Sequence, residues 1–471
     1  MKLLDNSTQG ILPLQKRLLY RTCVLPIALY GFQLWFFKGA PTVYNMTELK
    51  KMQRRTALWI TGAFRTSPSE GIEAVAGLIP IYLHLWKLNG QHQLWYATIP
   101  PLHAINSLLD HAHAKNHPAH KLATSSFTSK QKAHLKSPIK DVNKHLNEIQ
   151  ACLEPNHVLF SPGSRVVDHF SSRIVFHSLS SSSDDDTIVH IQKLNQAFRM
   201  SQISPHSTTI IVDGGVKKSN VALAVAHTWT DNHITRQAHV QAMNITPVEA
   251  ELIAIRIGLM PALNDGNIHQ ILVVTNAISA ANYILESRPN LLQKAVLPIT
   301  SNLKSFFEKD NRNHIHFWQC PKKAKWPRHI LVDDQVKVSA NVPTLPSKNS
   351  YLFSRKKECD GALIEWQKAF STEKRKGQLF LDFEDDKQRV IKPTYTKGGS
   401  WLPSIGFINA LCVHFTRMTT GHTPIGEYCQ RFFPNSPTSC PCSQADLQTC
   451  EHIIMQCPLA QGFKAMQHRH Q

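Results

Sequence analysis

Long apolar runs are missing from this chain. The longest, Val24 to Phe37, is interrupted by Pro26, Gly31 and Gln33. At that length it reads as a buried core segment rather than a membrane span. No cleavable leader is visible, so the expectation is a soluble intracellular protein, nuclear or cytosolic, with no membrane partner. Cysteine is also sparse. Ten in 471 residues cannot staple a chain of this size. Four of them, Cys440, Cys442, Cys450 and Cys457, gather beside His452, a pattern that points to metal rather than disulfides. Acidic residues are the third shortage. Asp+Glu is 33 against Lys+Arg 52, a formal net charge of +19. That excess favours a polyanionic partner, most often nucleic acid, or it makes a basic surface with no particular partner; charge alone does not separate the two. No phosphate-cradling Gly-rich loop and no nucleophile elbow occur, so no small-molecule nucleotide site or serine hydrolase is expected.

What is present can build cores: the chain is 42% hydrophobic and 18% charged, which excludes wholesale disorder. Residues 1–100 read as helical. Leu14, Leu18, Leu19, Val24, Leu25 and Leu29 follow a loose three-to-four spacing, and Pro26 kinks or divides that helix. A second helix is predicted from Met46 to about Gly62, with Leu49, Met52 and Leu58 on one face. Lys50, Lys51, Arg54 and Arg55 lie on the other, either solvated or resting on phosphates. Residues 101–205 read as a connector. Its histidines His111, His113, His117 and His120 lie among Lys and Pro, and Ser178–Asp186 is Ser/Asp low complexity.

Residues 206–340 alternate strand and helix. Thr208–Val212, Val221–Trp229 and Ile234–Val240 predict a meander of three strands. Thr246-Pro247-Val248-Glu249 opens a helix as a capping box, with Leu252, Ile255 and Leu259 on the core side. Ile271–Thr275 is a short buried strand, helices follow at Ala277–Leu285 and Ile299–Glu308, and Ile315–Cys320 is the last strand before a helix from about Asp333. Residues 341–430 combine basic linker, including Lys374-Arg375-Lys376, with a helical segment from Ile405. Residues 431–471 hold the Cys/His cluster.

Carboxylates recur at the element ends of the central region: Asp213 after the first strand, Glu251 on the next helix, and Asp333 and Asp334 near the last helix, with Asn276 ending the fourth strand. Such a set can converge on divalent metal, and hard oxygen ligands suit Mg²⁺ or Mn²⁺. Asp213 before Gly-Gly also suits a simple turn, and Glu249 is better explained as a cap.

Taken in order, the segments resemble a known family. Ile210-Ile211-Val212-Asp213-Gly214, Ala250-Glu251-Leu252-Ile253-Ala254-Ile255, Val273-Val274-Thr275-Asn276, Phe317-Trp318-Gln319-Cys320-Pro321 and Val332-Asp333-Asp334-Gln335-Val336-Lys337 resemble the ribonuclease H (type 1) domain of non-LTR (LINE-type) retrotransposon polyproteins. Leu12 to Gly31, Arg54-Arg55 and Thr61 to Thr66 resemble the thumb-like stretch after the reverse-transcriptase palm. Cys440-Pro441-Cys442, Glu451-His452 and Cys457 resemble the terminal Cys-Cys-His-Cys knuckle. The resemblance implies a multidomain α/β protein. Its centre would be a mixed five-stranded sheet, preceded by helices and followed by a zinc knuckle. It implies action on RNA/DNA hybrid or RNA through catalytic positions Asp213, Glu251, Asn276 and Asp333, with Asp334 the alternative for the last, and Mg²⁺ or Mn²⁺ held by Asp213, Glu251 and Asp333.

Two departures matter. The family has Asp where this chain has Asn276, which keeps a carbonyl oxygen and loses the charge that holds two ions together. In the loop after the last strand, where the family tends to place a His, this chain reads Lys322-Lys323-Ala324-Lys325, with His329 further along. Hybrid cleavage is therefore expected to be weak or absent. No Tyr-x-Asp-Asp motif is present, so no polymerase activity is expected. The knuckle stands on its own chemistry as well: Cys440, Cys442, His452 and Cys457 suit a structural tetrahedral Zn²⁺, with Cys450 a spare thiol and free buried cysteines the competing reading.

Overall fold

The computed structural model describes residues 10–36, 42–98, 149, 169–179, 183–217, 220–285, 292–338, 348–370, 402 and 408–460. The histidine tract and Lys374–Lys376 lie outside them. The chain divides into two units. Of the described residues, one unit holds those up to His92 and from Glu358 onward; the other holds those from Gln93 to Lys357.

The second unit is built on a mixed sheet of six strands: β1 Ile174–His177, β2 Ser207–Val216, β3 Val221–Thr230, β4 His233–Met243, β5 Gln270–Thr275 and β6 His314–Gln319. Their order is β1-β6-β5-β2-β3-β4. The expected five strands and their intervening helices are present. The sixth, β1, pairs parallel to β6 at the edge and corrects the strand count. β2, β3 and β4 form the antiparallel meander. Asp231 and Asn232, both with positive φ, make its tight two-residue hairpin turn. β5 joins β2 in parallel, so β2 lies between an antiparallel and a parallel neighbour.

Alternation along β2 sends its side chains to two cores. Ile210 and Val212 pack under the helix Pro247–Asn264 and the helices Ile278–Leu285 and Gln293–Lys309. Ile211 enters the opposite core, formed with Leu194 and Phe198 of the helix Asp184–Ile203 and with Val332 and Val336 of the helix Pro327–Lys337. The capping box is formed: Glu249 accepts from the Thr246 backbone N–H at 2.7 Å and hydroxyl at 2.8 Å, and from Ser350 at 2.8 Å. Leu252, Ile255 and Leu259 are fully buried, as their spacing predicts. Within the stretch read as connector, Ser183 caps the twenty-residue helix Asp184–Ile203 by accepting from the Asp186 N–H.

The first unit is helical. The run Pro13–Ala28 widens to a π-turn over Tyr20–Val24, just before Pro26, whose missing N–H cannot continue the α-helical ladder. The helix Val43–Thr61 ends at Gly62 in the left-handed conformation. Tyr20, Ala57, Ile60 and Ile72 share one core with Leu402 and Cys412, so the C-terminal helix Asn409–Thr419 packs with the N-terminal helices. Among the described residues, no helix is long and apolar enough to cross a membrane.

Candidate functional site

Asp213 occupies β2 one residue past the last pairing with β5, where Val212 faces Thr275. Asn276 is the next residue beyond β5, and its Nδ2 donates to Asp213 Oδ1 at 2.7 Å. Glu251 arrives from the first turns of the helix Pro247–Asn264. The approach depends on Gly214: a Cβ there would sit 2.5 Å from the Glu251 nitrogen, against backbone that cannot yield. Without that Cβ, helix and strand close up and Glu251 Oε2 accepts from the Gly214 N–H at 3.1 Å. Asp333 comes from the helix Pro327–Lys337. Its side chain is about a third exposed and is held by Lys337 at 2.6 Å.

The electrostatics follow from burial. Asp213 is 2% exposed and Glu251 8%. Burial pushes Asp213 up to about 6; Asp333 adds to the rise, while Lys322 and the Asn276 amide oppose it. Burial, then the neighbouring Asp213, pushes Glu251 up to about 8 against the pull of Lys322 and the Gly214 N–H. Asp333 goes the other way: its hydrogen bond with Lys337 holds it below the ordinary carboxylate range.

Asp213, Glu251, Asn276 and Asp333 are thus brought together. Asp334, the adjacent alternative, is well exposed and turns to Lys337 at 2.9 Å without joining the cluster. Two further residues belong to this neighbourhood. His329 lies one helical turn before Asp333 and is buried, its ring hydrogen-bonded to the Val212 backbone. Burial pushes it down to about 4, against the pull of Asp333. Its Nε2 has no partner among the described residues. Lys337 lies one turn after Asp333. Spacing of four residues on either side of Asp333 was the signal that marks both, once the helix is started at Pro327 rather than at 333.

The second cluster is at the C-terminus. The donor atoms of Cys440, Cys442, His452 and Cys457 all lie within 4.8 Å of one another. Cys440 Sγ is 3.8 Å from Cys457 Sγ, and Cys442 Sγ is 3.1 Å from His452 Nε2. Tetrahedral zinc with Zn–S near 2.3 Å has S···S edges of about 3.8 Å. The tight Cys-x-Cys spacing is accommodated by Ser443, whose positive φ turns the chain back and lets its N–H reach the Cys440 carbonyl. His452 and Cys457 are brought to one side by a π-turn, in which the Cys457 N–H bonds the His452 carbonyl at 2.7 Å. Cys450 stays outside: its thiol faces the Met418 carbonyl, and burial pushes it up to about 11.

Of the basic helix residues, Lys50, Lys51 and Arg55 are exposed. Lys51 pairs with Glu48, and Lys50 lies over the Tyr82 ring. Arg54 is half-buried and holds the following loop, donating to Ser69 Oγ and to the Arg65 carbonyl at 2.7 Å.

No protein-family profile matches the chain, and no curated protein matches it. Among solved structures it is similar to the N-terminal RNase H domain of Rv2228c from Mycobacterium tuberculosis, solved as a fusion with maltose binding protein. The identity is 15%, the match covers 28% of this chain and 95% of that one, and the TM-score is 0.23. It is also similar to LC11-RNase H1 isolated from compost, at 15% identity over 28% of this chain and 94% of that one, with a TM-score of 0.21.

Because burial raises Glu251 from 4.5 to about 8, the folded chain keeps a proton that the unfolded chain releases between those values. Stability is then fully present below about 4.5 and lost as pH rises through about 8. In chelator, Glu251→Gln is expected to match the native chain in thermal unfolding near pH 5 and to unfold several degrees higher near pH 9. Equal midpoints at both pH values would contradict a carboxylate whose proton affinity is raised by burial.

Proposed function

We propose that the sheet unit is a ribonuclease H-type module that engages RNA/DNA hybrid, its hydrolysis of the RNA strand weakened by Asn276. The order of segments along the chain supports descent from a non-LTR retrotransposon polyprotein. The observation that carries the reading is the convergence of Asp213, Glu251 and Asp333, with the Asn276 amide in the fourth place.

The donor set fits divalent metal. Asp213, Glu251 and Asp333 offer hard oxygens, and two of them are buried together with raised affinity for a proton, which a divalent cation would replace. Bound there, Mg²⁺ or Mn²⁺ supplies charge stabilisation and an activated water for phosphodiester hydrolysis. The chain's own residues set how readily it is held. Asn276 adds no negative charge and already donates to Asp213 Oδ1. Lys337 occupies Asp333, and the Lys322 charge acts on all three carboxylates. Each of these lowers the attraction for a second ion. On the helical unit, Lys50, Lys51, Arg54 and Arg55 form the basic face proposed to lie on phosphates, through counterion release.

The test is cleavage of a labelled RNA/DNA hybrid by the full chain in Mg²⁺ and in Mn²⁺. Slow cleavage is expected, lost in Asp213→Asn and raised roughly tenfold or more in Asn276→Asp, the equivalent of about 1.4 kcal/mol of transition-state stabilisation. The Asn276–Asp213 contact also favours a second reading, binding without turnover. That reading holds if no variant cleaves while hybrid binding falls steeply with salt, and fails if hybrid binding is absent.

We infer further that Cys440, Cys442, His452 and Cys457 hold a structural zinc, four protein ligands leaving no open position for catalysis. The purified chain should release one zinc per molecule on thiol modification. Cys457→Ala should abolish it, and Cys450→Ala should not. Equal loss in both variants would contradict this ligand set.

A further inference from the structure

A row of aromatic rings on the helical unit reaches solvent without closing into a core. Tyr428 stacks on Phe64, with centroids 6.0 Å apart and planes at 29°. Phe432 lies 4.6 Å from Tyr428, and His422 lies 5.9 Å from it. Phe433 follows at 6.1 Å. Phe432 is 46% exposed and Phe433 54%. Behind the row, the Arg417 guanidinium sits 4.1 Å from the Phe64 ring.

Two features make this a built surface rather than a stray patch. The short helix Gly426–Phe432 carries Tyr428 and Phe432 and is followed directly by Phe433, and the Cys/His loop fixes it. A Cβ at Gly426 would collide with the Thr438 carbonyl. The Glu427 N–H donates to the Gln448 carbonyl at 2.9 Å, and the Gln448 N–H to the Thr438 carbonyl at 2.8 Å. The second feature is charge. Phe64 is followed by the exposed Arg65, whose carbonyl is gripped by Arg54 of the basic helix. Lys50, Lys51 and Arg55 extend the same positive face along that helix. Exposed rings packed on Phe64, whose chain neighbour Arg65 and whose preceding helix carry exposed cations, suit unpaired nucleotides, with phosphates on the cations and base faces on the rings. Phenylalanine presents no hydrogen-bonding group, so the base identity would go largely unread.

We propose that Phe432 and Phe433, backed by Tyr428 and Phe64, form a stacking shelf for the unpaired bases of single-stranded RNA or DNA. The Cys/His loop acts as the clamp that holds the shelf in place. This inference is independent of the carboxylate cluster and of any cleavage there.

The test is fluorescence anisotropy of the full chain with a short labelled oligouridylate, an oligothymidylate and an abasic deoxyribose-phosphate strand of the same length, at one salt concentration. Both base-bearing strands should bind within a few fold of each other, and about tenfold tighter than the abasic strand. Phe432→Ala and Phe433→Ala should each lower that affinity toward the abasic level and leave abasic binding unchanged. Phe432→Trp should retain affinity, with indole emission quenched when the strand binds; this arm decides if an alanine variant unfolds. Equal binding of base-bearing and abasic strands by the native chain would overturn the proposal. So would alanine variants that bind normally but lose self-association in sedimentation, which would assign the shelf to a second copy of the chain.

Discussion

The candidate catalytic cluster depends on one close approach, that of β2 to the first turn of the helix Pro247–Asn264 at Gly214. There the two backbones meet at a distance no side chain allows. The approach puts Glu251 within reach of the Gly214 N–H and beside Asp213, and it takes both carboxylates out of water. Their raised pKa values follow from that burial before any neighbouring charge is counted. The capping box at the helix N-terminus fixes where the helix starts. Thr246 and Glu249 hold the helix end, so Glu251, two residues on, is aimed at β2.

Around this pair, internal donors manage the unfavourable charge. Asn276 donates to Asp213, the Gly214 N–H to Glu251, and Lys337 to Asp333. A fourth carboxylate at 276 would add negative charge to a cluster already short of counter-charge, and would favour binding of divalent cation. The asparagine does the reverse, quieting the cluster without metal. The same residue therefore eases burial of the site and weakens the chemistry the site is proposed to perform, a trade set by charge alone.

Much of the fold was legible because the signals were local. The Thr246–Glu249 cap, the meander and the all-apolar β5 each announce themselves within a few residues. What was not legible depended on context. The Ser-rich, Asp-rich stretch near 183 reads as low complexity. In the fold Ser183 is an N-cap, and three aspartates sit in the first turn, where the helix dipole favours them. β1 is four residues long and shows no alternation of its own; it forms because β6 offers a free edge. Asp333 and Asp334 are neighbours in sequence and equal in chemistry, and the helix starting at Pro327 leaves Asp333 half-buried beside Asp213 and Asp334 exposed. His329 looked remote along the chain and is one turn away in the helix. The tight Cys440–Cys442 spacing works because Ser443 adopts a left-handed turn that its residue type does not advertise.

The most direct test of this account is the protonation state of the buried pair. Carboxyl ¹³C shifts of Glu251 and Asp213, assigned by substitution, should be followed against pH with and without Mg²⁺. Without metal, the buried cluster requires Glu251 to titrate near 8 and Asp213 near 6, with both falling when Mg²⁺ is added. Titration of both near 4, unmoved by Mg²⁺, would contradict a buried metal-binding cluster at Gly214.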